Sequence, residues 1–375
     1  MNRLQYVISL TIAAFTVLTG GVLMTGCGSD EDYSLIETAS RLATGGSTEP
    51  ETNPLVESAV SFDHTLDNYT PKKKKYNFYF TYKLVHPWWD AVAMGLEDAT
   101  DQYMDRGVTI NYEYLAPDAV SAEDQIERIR KAADSHRYDV IGIDVADSSL
   151  LAPVIDELVD GGQKVMTFSS SDTEPETHCK RIAYVGNTHN RQDGADLAEA
   201  LCQKLNYKGK VGIIVGDPGA PCHEERLEGA KSVIEKYPDM EIVGIAYDKE
   251  SADRAQEITK SYLSEHADLA GMICCNMVNP VGAARAVTEA GLSGQVTIVG
   301  MDHDREGLRF LRDGTIYCLG VQDCCSIGFD TIRIAVKVAD GLLPGDGYEE
   351  LTDEKTTLIY QKDAASMLYK LYGEE

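Results

Sequence analysis

The chain has 375 residues, room for about two domains at ~150 residues each, and it carries a formal net charge of −27. Hydrophobic residues make up 43% and charged residues 25%, so a sizeable core can form. A surface this acidic repels nucleic acid and the anionic face of a membrane, which excludes both as charge-recognised partners.

Arg3 is followed by the apolar run YVISLTIAAFTVLTGGVLMTG, which stops at Cys27. A short basic start, an apolar segment and small residues before the stop predict a secretory signal over residues 1-26. An uncleaved span is the alternative, because the run is long enough to cross a bilayer. The ending LMTGC resembles a bacterial lipobox, with Thr25 and Gly26 at the small-residue positions and Met24 in place of the usual leucine. That resemblance implies a lipid on Cys27 and a chain anchored outside the cytoplasmic membrane. Residues 27-75 are rich in Ser, Thr, Gly, Glu and Pro with little apolar periodicity, and they predict a flexible tether closed by the solvated basic run PKKKK.

From Tyr76 the pattern is regular. YNFYFTY predicts a strand and WWDAVAMGLEDATDQYMDRG an amphipathic helix stopped at Gly107. VTINYEYL is the next strand, and SAEDQIERIRKAADS is a helix opened by Ser121. YDVIGIDV, SSLLAPVIDELVDGG and KVMTFS follow as strand, helix and strand. The alternation resumes at KVGIIVG and runs through RLEGAKSVIEKY, EIVGIAY, ADRAQEITKSYLSEH, LAGMICCN, PVGAARAVTEAG, VTIVGMD and REGLRFLRDG to IYCLGVQ. Short β-rich runs between helices of about 10–15 residues mean βαβ units and parallel sheets. The strands are too many for one open sheet, so the reading is α/β with two doubly wound parallel-sheet lobes.

In such sheets ligands bind beyond the carboxyl ends of the strands. The polar residues at those ends are Lys83 and His86, Asp144 and Asp147, and the run SSSD at Ser169–Asp172; in the second half they are Asp217, Asn276, Asp302 with Asp304, and Gln322. Both tryptophans of the chain, Trp88 and Trp89, stand at the first of these positions behind Pro87. An aromatic face is an apolar plate with a negative quadrupole, and Asp, Asn and Gln accept or donate hydrogen bonds around a hydroxyl rim. Together they suit a sugar ring. The plainer alternative is a helix start whose tryptophans pack inward.

From about Tyr76 to Gly345 the chain resembles the type I periplasmic sugar-binding proteins, the solute receptors of ABC importers related to ribose-binding protein. The segments that carry the likeness occur in order: HPWWDAVAMGLEDA, DVIGIDVADSSLLAPVIDE, KVMTFSSSD, YVGNTHNRQDGADLAEAL, ERLEGAKSVIEKYP, CCNMVNPVGAARAVTEAG, VTIVGMD and VQDCCSIGFD. The resemblance implies two lobes joined by a three-strand hinge. It places aromatic stackers on Trp88 and Trp89, polar contacts on Lys83, His86 and Asp147, and second-lobe contacts on Asn276, Asp302 and Gln322. It also points to Ser169 and Ser170, where ribose binders have Asp and Arg, and to Glu224, where they have an arginine, while Arg226 matches a more general arginine of that helix. Met277 stands where the family often has Asp. These departures put ribose itself in doubt, and YKLVHPWW with SSSDTEPE looks closer to members that bind rhamnose or autoinducer-type furanosyl molecules.

The implied lobes are residues 76-187 with 323-350 and residues 188-322 with 351-375. The implied function is a lipid-anchored monomer that captures a monosaccharide and delivers it to the permease of an ABC importer, with no cofactor and no metal. A sugar-sensing subunit for a chemoreceptor or histidine kinase would have the same kind of sequence. An enzyme using Asp144 and Asp147 as an acid/base pair is the alternative of another class, but the chain has no GxSxG elbow, HExxH or phosphate loop. YDKESADRAQE, Tyr247–Glu257, lacks the alternating oxygens and central glycine of a calcium loop and reads as a strand end leading into a helix. CHEE at Cys222 has no second ligand pair for zinc.

Overall fold

A computed structural model describes residues 59–374 apart from positions 62, 84, 86, 117–120 and 174–177. The signal, Cys27 and His86 therefore lie outside the described residues. The first half runs β1 (Lys75–Thr81), α1 (Pro87–Asp105), β2 (Thr109–Leu115), α2 (Ala122–Asp134), β3 (Val140–Ile143), α3 (Ser148–Asp160), β4 (Val165–Ser169) and β5 (Tyr184–Gly186). The second runs α4 (Asn190–Lys204), β6 (Gly209–Val215), α5 (Pro221–Ile234), β7 (Met240–Tyr247), α6 (Ala252–Glu265), β8 (Leu269–Cys274), α7 (Asn279–Glu289), β9 (Thr297–Met301), α8 (Arg305–Asp313) and β10 (Ile316–Gln322). Then come α9 (Cys324–Ala339), β11 (Leu351–Asp353), β12 (Thr356–Tyr360) and α10 (Ala364–Tyr372).

Two six-stranded sheets result, ordered β2-β1-β3-β4-β5-β11 and β7-β6-β8-β9-β10-β12. All pairs are parallel except β10 with β12. The all-apolar strand β3 and the near-continuous apolar runs of β8 and β9 are what a parallel sheet covered on both faces demands. Side-chain caps set the helix starts: Ser121 accepts from Asp124 N, Asp147 from Leu150 N, Ser251 from Arg254 N, and Asp304 from Glu306 N and Gly307 N.

The chain passes between the sheets three times: after β5, after β10, and between β11 and β12. The passages are bonded to one another. Asp323 N donates to Lys355 O at 3.2 Å, Glu354 N to Gly186 O at 2.9 Å, and Asn187 Nδ2 to Gln322 Oε1 at 3.3 Å. After the second passage α9 packs against α1 of the first lobe. Strand β11 pairs with β5, so Leu351–Asp353 belong to the first sheet, whereas the sequence reading began the return to the second lobe at residue 351.

The segment expected to end a flexible tether is instead built into the first lobe. Ala59, Val60 and Leu66 are buried, His64 stacks on Phe329 at 4.7 Å, and Arg106 donates to Leu66 O and Asp67 O. Lys337, almost fully buried in α9, donates to Asp67 Oδ2 at 2.5 Å and Gly347 O at 2.6 Å. A buried ammonium needs such partners, and that need, rather than apolar periodicity, orders the segment. The basic run is pinned as well: Lys73 pairs with Asp139 at 2.7 Å and Lys72 donates to Asp340 O at 3.0 Å.

Candidate functional site

Each sheet reverses its strand order at one place, between β1 and β3 in the first and between β6 and β8 in the second. Crevices form at such switch points. Here the two crevices face each other and enclose a cavity with about 370 Å³ of space not filled by protein, part of it open to solvent. Its walls are Lys83, Trp88, Trp89 and Ser170 from the first lobe, and His223, Arg226, Glu250, Asn276, Met277 and Asp302 from the second.

Pro87 opens α1, which puts the tryptophans in its first turn at the end of β1. Both are buried, and they meet edge to face at 4.6 Å and 78°. Trp89 leans on Tyr82 at 4.6 Å, so its plane is fixed from behind. Trp88 Nε1 donates across the cleft to Asp302 Oδ1 at 3.2 Å, and Gln322 Nε2 donates to the same oxygen at 2.7 Å. Burial pushes the Asp302 carboxyl up, and the Arg226 guanidinium works against that push.

Arg226 is buried in α5. Its Nη1 donates to Cys275 O at 3.1 Å and its Nη2 to Asn190 Oδ1 at 2.8 Å, while Nε–H has no partner among the described residues. Glu250 is held by Asn276 Nδ2 at 2.8 Å and by His223 Nε2 at 3.4 Å. His223 Nδ1 accepts from Asp217 N at 3.0 Å, so Nε2 carries the proton. Burial pulls this imidazole down to about 4 and keeps it neutral. Lys83 reaches Glu250 at 4.0 Å and Cys222 Sγ at 3.8 Å. Burial opposes its charge, but Cys222, Asp144 and Glu250 hold the ammonium above its usual range. Asp144 sits behind Lys83, accepting from Lys83 N at 3.0 Å and Ser169 Oγ at 2.5 Å; burial pushes it up to about 6 despite Lys83.

Of the residues singled out in the sequence, Lys83, Trp88, Trp89, Ser170, Arg226, Asn276 and Asp302 come together in the cavity. Ser169 and Gln322 stand one layer back, fixing Asp144 and Asp302. Two lie elsewhere. Asp147 is occupied as the cap of α3, with Ser149 Oγ at 2.7 Å and Leu150 N at 3.0 Å. Glu224 points away, accepting from Tyr247 OH at 3.0 Å, because α5 turns residues 222, 223 and 226 inward instead. Sequence reasoning overlooked His223 and Glu250. Glu250 follows β7, and the strand-end rule, applied to EIVGIAY as to the other strands, names it. Among the described residues no cluster of His, Cys, Asp and Glu fit for a metal ion occurs, and all eight described cysteines are free.

A family described as Periplasmic binding protein domain matches residues 78–343. The D-ribose/D-allose-binding protein of Pseudomonas aeruginosa is 28% identical over 223 residues, 59% of this chain and 69% of that protein. The D-allose-binding periplasmic protein of Escherichia coli is 23% identical over 259 residues, 68% of this chain and 81% of that one. Among solved structures, an ABC transporter solute binding protein from Burkholderia graminis in complex with D-arabinose aligns with a TM-score of 0.71 at 25% identity, over 78% of this chain and 98% of that one. GanP, a glucose-galactose binding protein from Geobacillus stearothermophilus, aligns with a TM-score of 0.70 at 24% identity, over 78% and 99%. The matched span runs from within β1 to the turn after α9, and the chain belongs to the periplasmic binding protein domain family.

Proposed function

We propose that this protein is an extracytoplasmic, lipid-anchored receptor that binds a monosaccharide between its two lobes and hands it to the permease of an ABC importer. The observation that carries the reading is the meeting of Trp88 and Trp89 with Asn276, Glu250 and Asp302 in one cavity between two facing switch points. The indole faces suit the C–H side of a pyranose or furanose, and the carboxylates and amide suit its hydroxyls. Because both lobes supply contacts, a ligand favours the closed arrangement and occupancy is coupled to closure. The names of the relatives, which bind D-ribose, D-allose and D-arabinose, agree with this substrate class. The pair weighed as acid and base in the sequence is engaged elsewhere: Asp147 caps α3 and Asp144 is enclosed by Ser169 and Lys83, so neither lines the cavity.

The test is calorimetry and thermal shift of the purified chain against D-ribose, D-allose, D-arabinose, D-galactose, L-rhamnose and xylitol. One or more should raise the melting temperature by mass action. Trp88→Ala or Trp89→Ala should weaken that binding by ~1–3 kcal/mol, the range for losing a buried anchor. No response to any monosaccharide, or both variants binding as tightly as the parent, overturns the reading. For the anchor, Cys27→Ala should abolish incorporation of labelled fatty acid.

A further inference from the structure

We propose that Cys222 is a thiolate-forming modification site, reached by hydroperoxides and soft electrophiles when the lobes separate, and that its modification stops the cleft from closing again. The proposal concerns the same cleft but does not depend on which ligand fills it.

Cys222 is the second residue of α5, where unpaired backbone N–H groups and the helix dipole favour negative charge. It is buried, and the groups over it come from the opposite lobe: Ser171 Oγ at 3.0 Å and Lys83 Nζ at 3.8 Å. One turn along the same helix stands Arg226, fully buried and lining the cavity, with its Nε–H unpartnered among the described residues. That donor is waiting for an acceptor. An oxygen added to sulfur beside it is one candidate acceptor that needs no other ligand.

The titratable groups facing Cys222 are Lys83, Asp144 and Tyr184 from the first lobe and Arg226 and Cys275 from the second. Burial alone would raise the thiol, but Lys83 and Arg226 outweigh it and hold Cys222 below the usual thiol range. Burial pushes the other seven described cysteines up. Exposure alone would pick a different residue, since Cys179 is the one half-buried cysteine among those described and the others are buried.

With a hydroperoxide the thiolate sulfur attacks one peroxide oxygen. An S–O bond forms, the O–O bond breaks, sulfur is oxidised by two electrons, and the second oxygen leaves as hydroxide or alkoxide and takes a proton from water. Ser171 Oγ already stands 3.0 Å from the sulfur, so an added oxygen crowds that contact across the lobes. A close-packed contact cannot absorb an extra heavy atom without displacement, so the lobes part.

The experiment is limited alkylation of the full-length chain in detergent with iodoacetamide from pH 6.5 to 9, followed by peptide mass mapping. Sulfur–carbon bond formation with loss of iodide should occur at Cys222 at least tenfold faster than at Cys179. Its midpoint should lie below ~8.5, the value of a free thiol. Lys83→Met should slow the reaction and raise the midpoint, and Lys83→Arg, which keeps the charge, should restore both. Circular dichroism checks that each variant folds. Hydrogen peroxide should add one oxygen at Cys222, trapped by dimedone, and small-angle scattering of the alkylated chain should give a larger radius of gyration. The proposal is overturned if Cys222 reacts no faster than Cys179, if Lys83→Met leaves the midpoint in place, or if alkylation leaves the radius unchanged.

Discussion

Asp302 has a φ of 68°, a left-handed conformation that Asp and Asn tolerate better than most side chains. The capping of α8 falls to Asp304, two residues on. Both bonds to the Asp302 carboxylate land on Oδ1, which leaves the second oxygen for a ligand. Asp302→Asn keeps an oxygen to accept from Trp88 and Gln322 and removes a buried charge. The ligand-free melting temperature should therefore hold or rise, while sugar binding weakens tenfold or more (~1.4 kcal/mol) because charge-assisted bonds to hydroxyls are lost. Equal affinity of parent and variant by calorimetry would remove Asp302 from the contacts. At this scale the strand-end rule made Lys83, Asn276 and Asp302 legible. It could not resolve helix phase: whether 223 or 224 faces inward depends on where α5 begins, at Pro221, and a single residue of slip swaps a contact for a surface carboxylate.

Each lobe packs one helix pair through reciprocal glycines. In the first, a Cβ on Gly95 of α1 would stand 1.9 Å from Cys325 O, and one on Gly328 of α9 would stand 1.9 Å from Val92 O. In the second, a Cβ on Gly194 of α4 would meet Arg226 O at 2.0 Å and one on Gly229 of α5 would meet Arg191 O at 1.8 Å. The obstructing atoms are backbone, so the helix must move. Gly194→Ala should push α5 outward at the residue that lines the cleft. We expect a loss of about 1–3 kcal/mol of stability, typical of overpacking, together with weaker sugar binding. Urea unfolding and calorimetry on the same preparation check both; a variant with parental stability would show that α5 shifts freely. Among elements, long amphipathic helices and apolar strands were legible because periodicity marks them. β5 and β11 have three residues each, too short to show a period, and tertiary pairing rather than local pattern defines them. The built-in segment ahead of β1 was read as tether because what orders it, Asp67 on Lys337 and His64 on Phe329, joins positions more than 260 residues apart.

For the molecule as a whole, the acidic excess and the buried carboxyls act in one direction. Burial first, and then Glu250 beside it, pushes Asp248 up to about 7, and burial pushes Asp144 up to about 6, from an ordinary 3.8. Above pH 7 the folded form bears these charges in a dry setting. As the pH falls through 7 and then 6, it binds protons that the unfolded chain does not take up until near 3.8, so stability rises. A net charge of −27 that shrinks over the same interval adds to the gain. His223 and His303 oppose it lower down: burial pulls both from 6.5 to about 4, so below 6.5 the unfolded chain takes up those protons first and stability is lost. The melting temperature should climb from pH 8 to about 6.5 and then level off toward 4, where the two aspartates and the two histidines offset each other. Calorimetric scans at constant ionic strength check this, and a steady fall from pH 8 to 6.5 would contradict it. The two-lobe architecture was the most legible level of all, because strand–helix alternation over some 250 residues leaves few other ways to bury every strand.

Val60 O accepts from Lys370 Nζ, so the chain enters the fold beside the helix in which it ends. The two ends of the folded body are neighbours even though the cleft lies between two lobes. A circular permutant follows: a short linker from Glu374 to Ala59, with the chain reopened at the exposed turn Gly291–Gly294, where a Cβ on either glycine would meet nothing within 4 Å. An anchor or reporter attached at those new ends would sit on the second lobe. The choice of attachment point would then decide which lobe is held and which is left to swing.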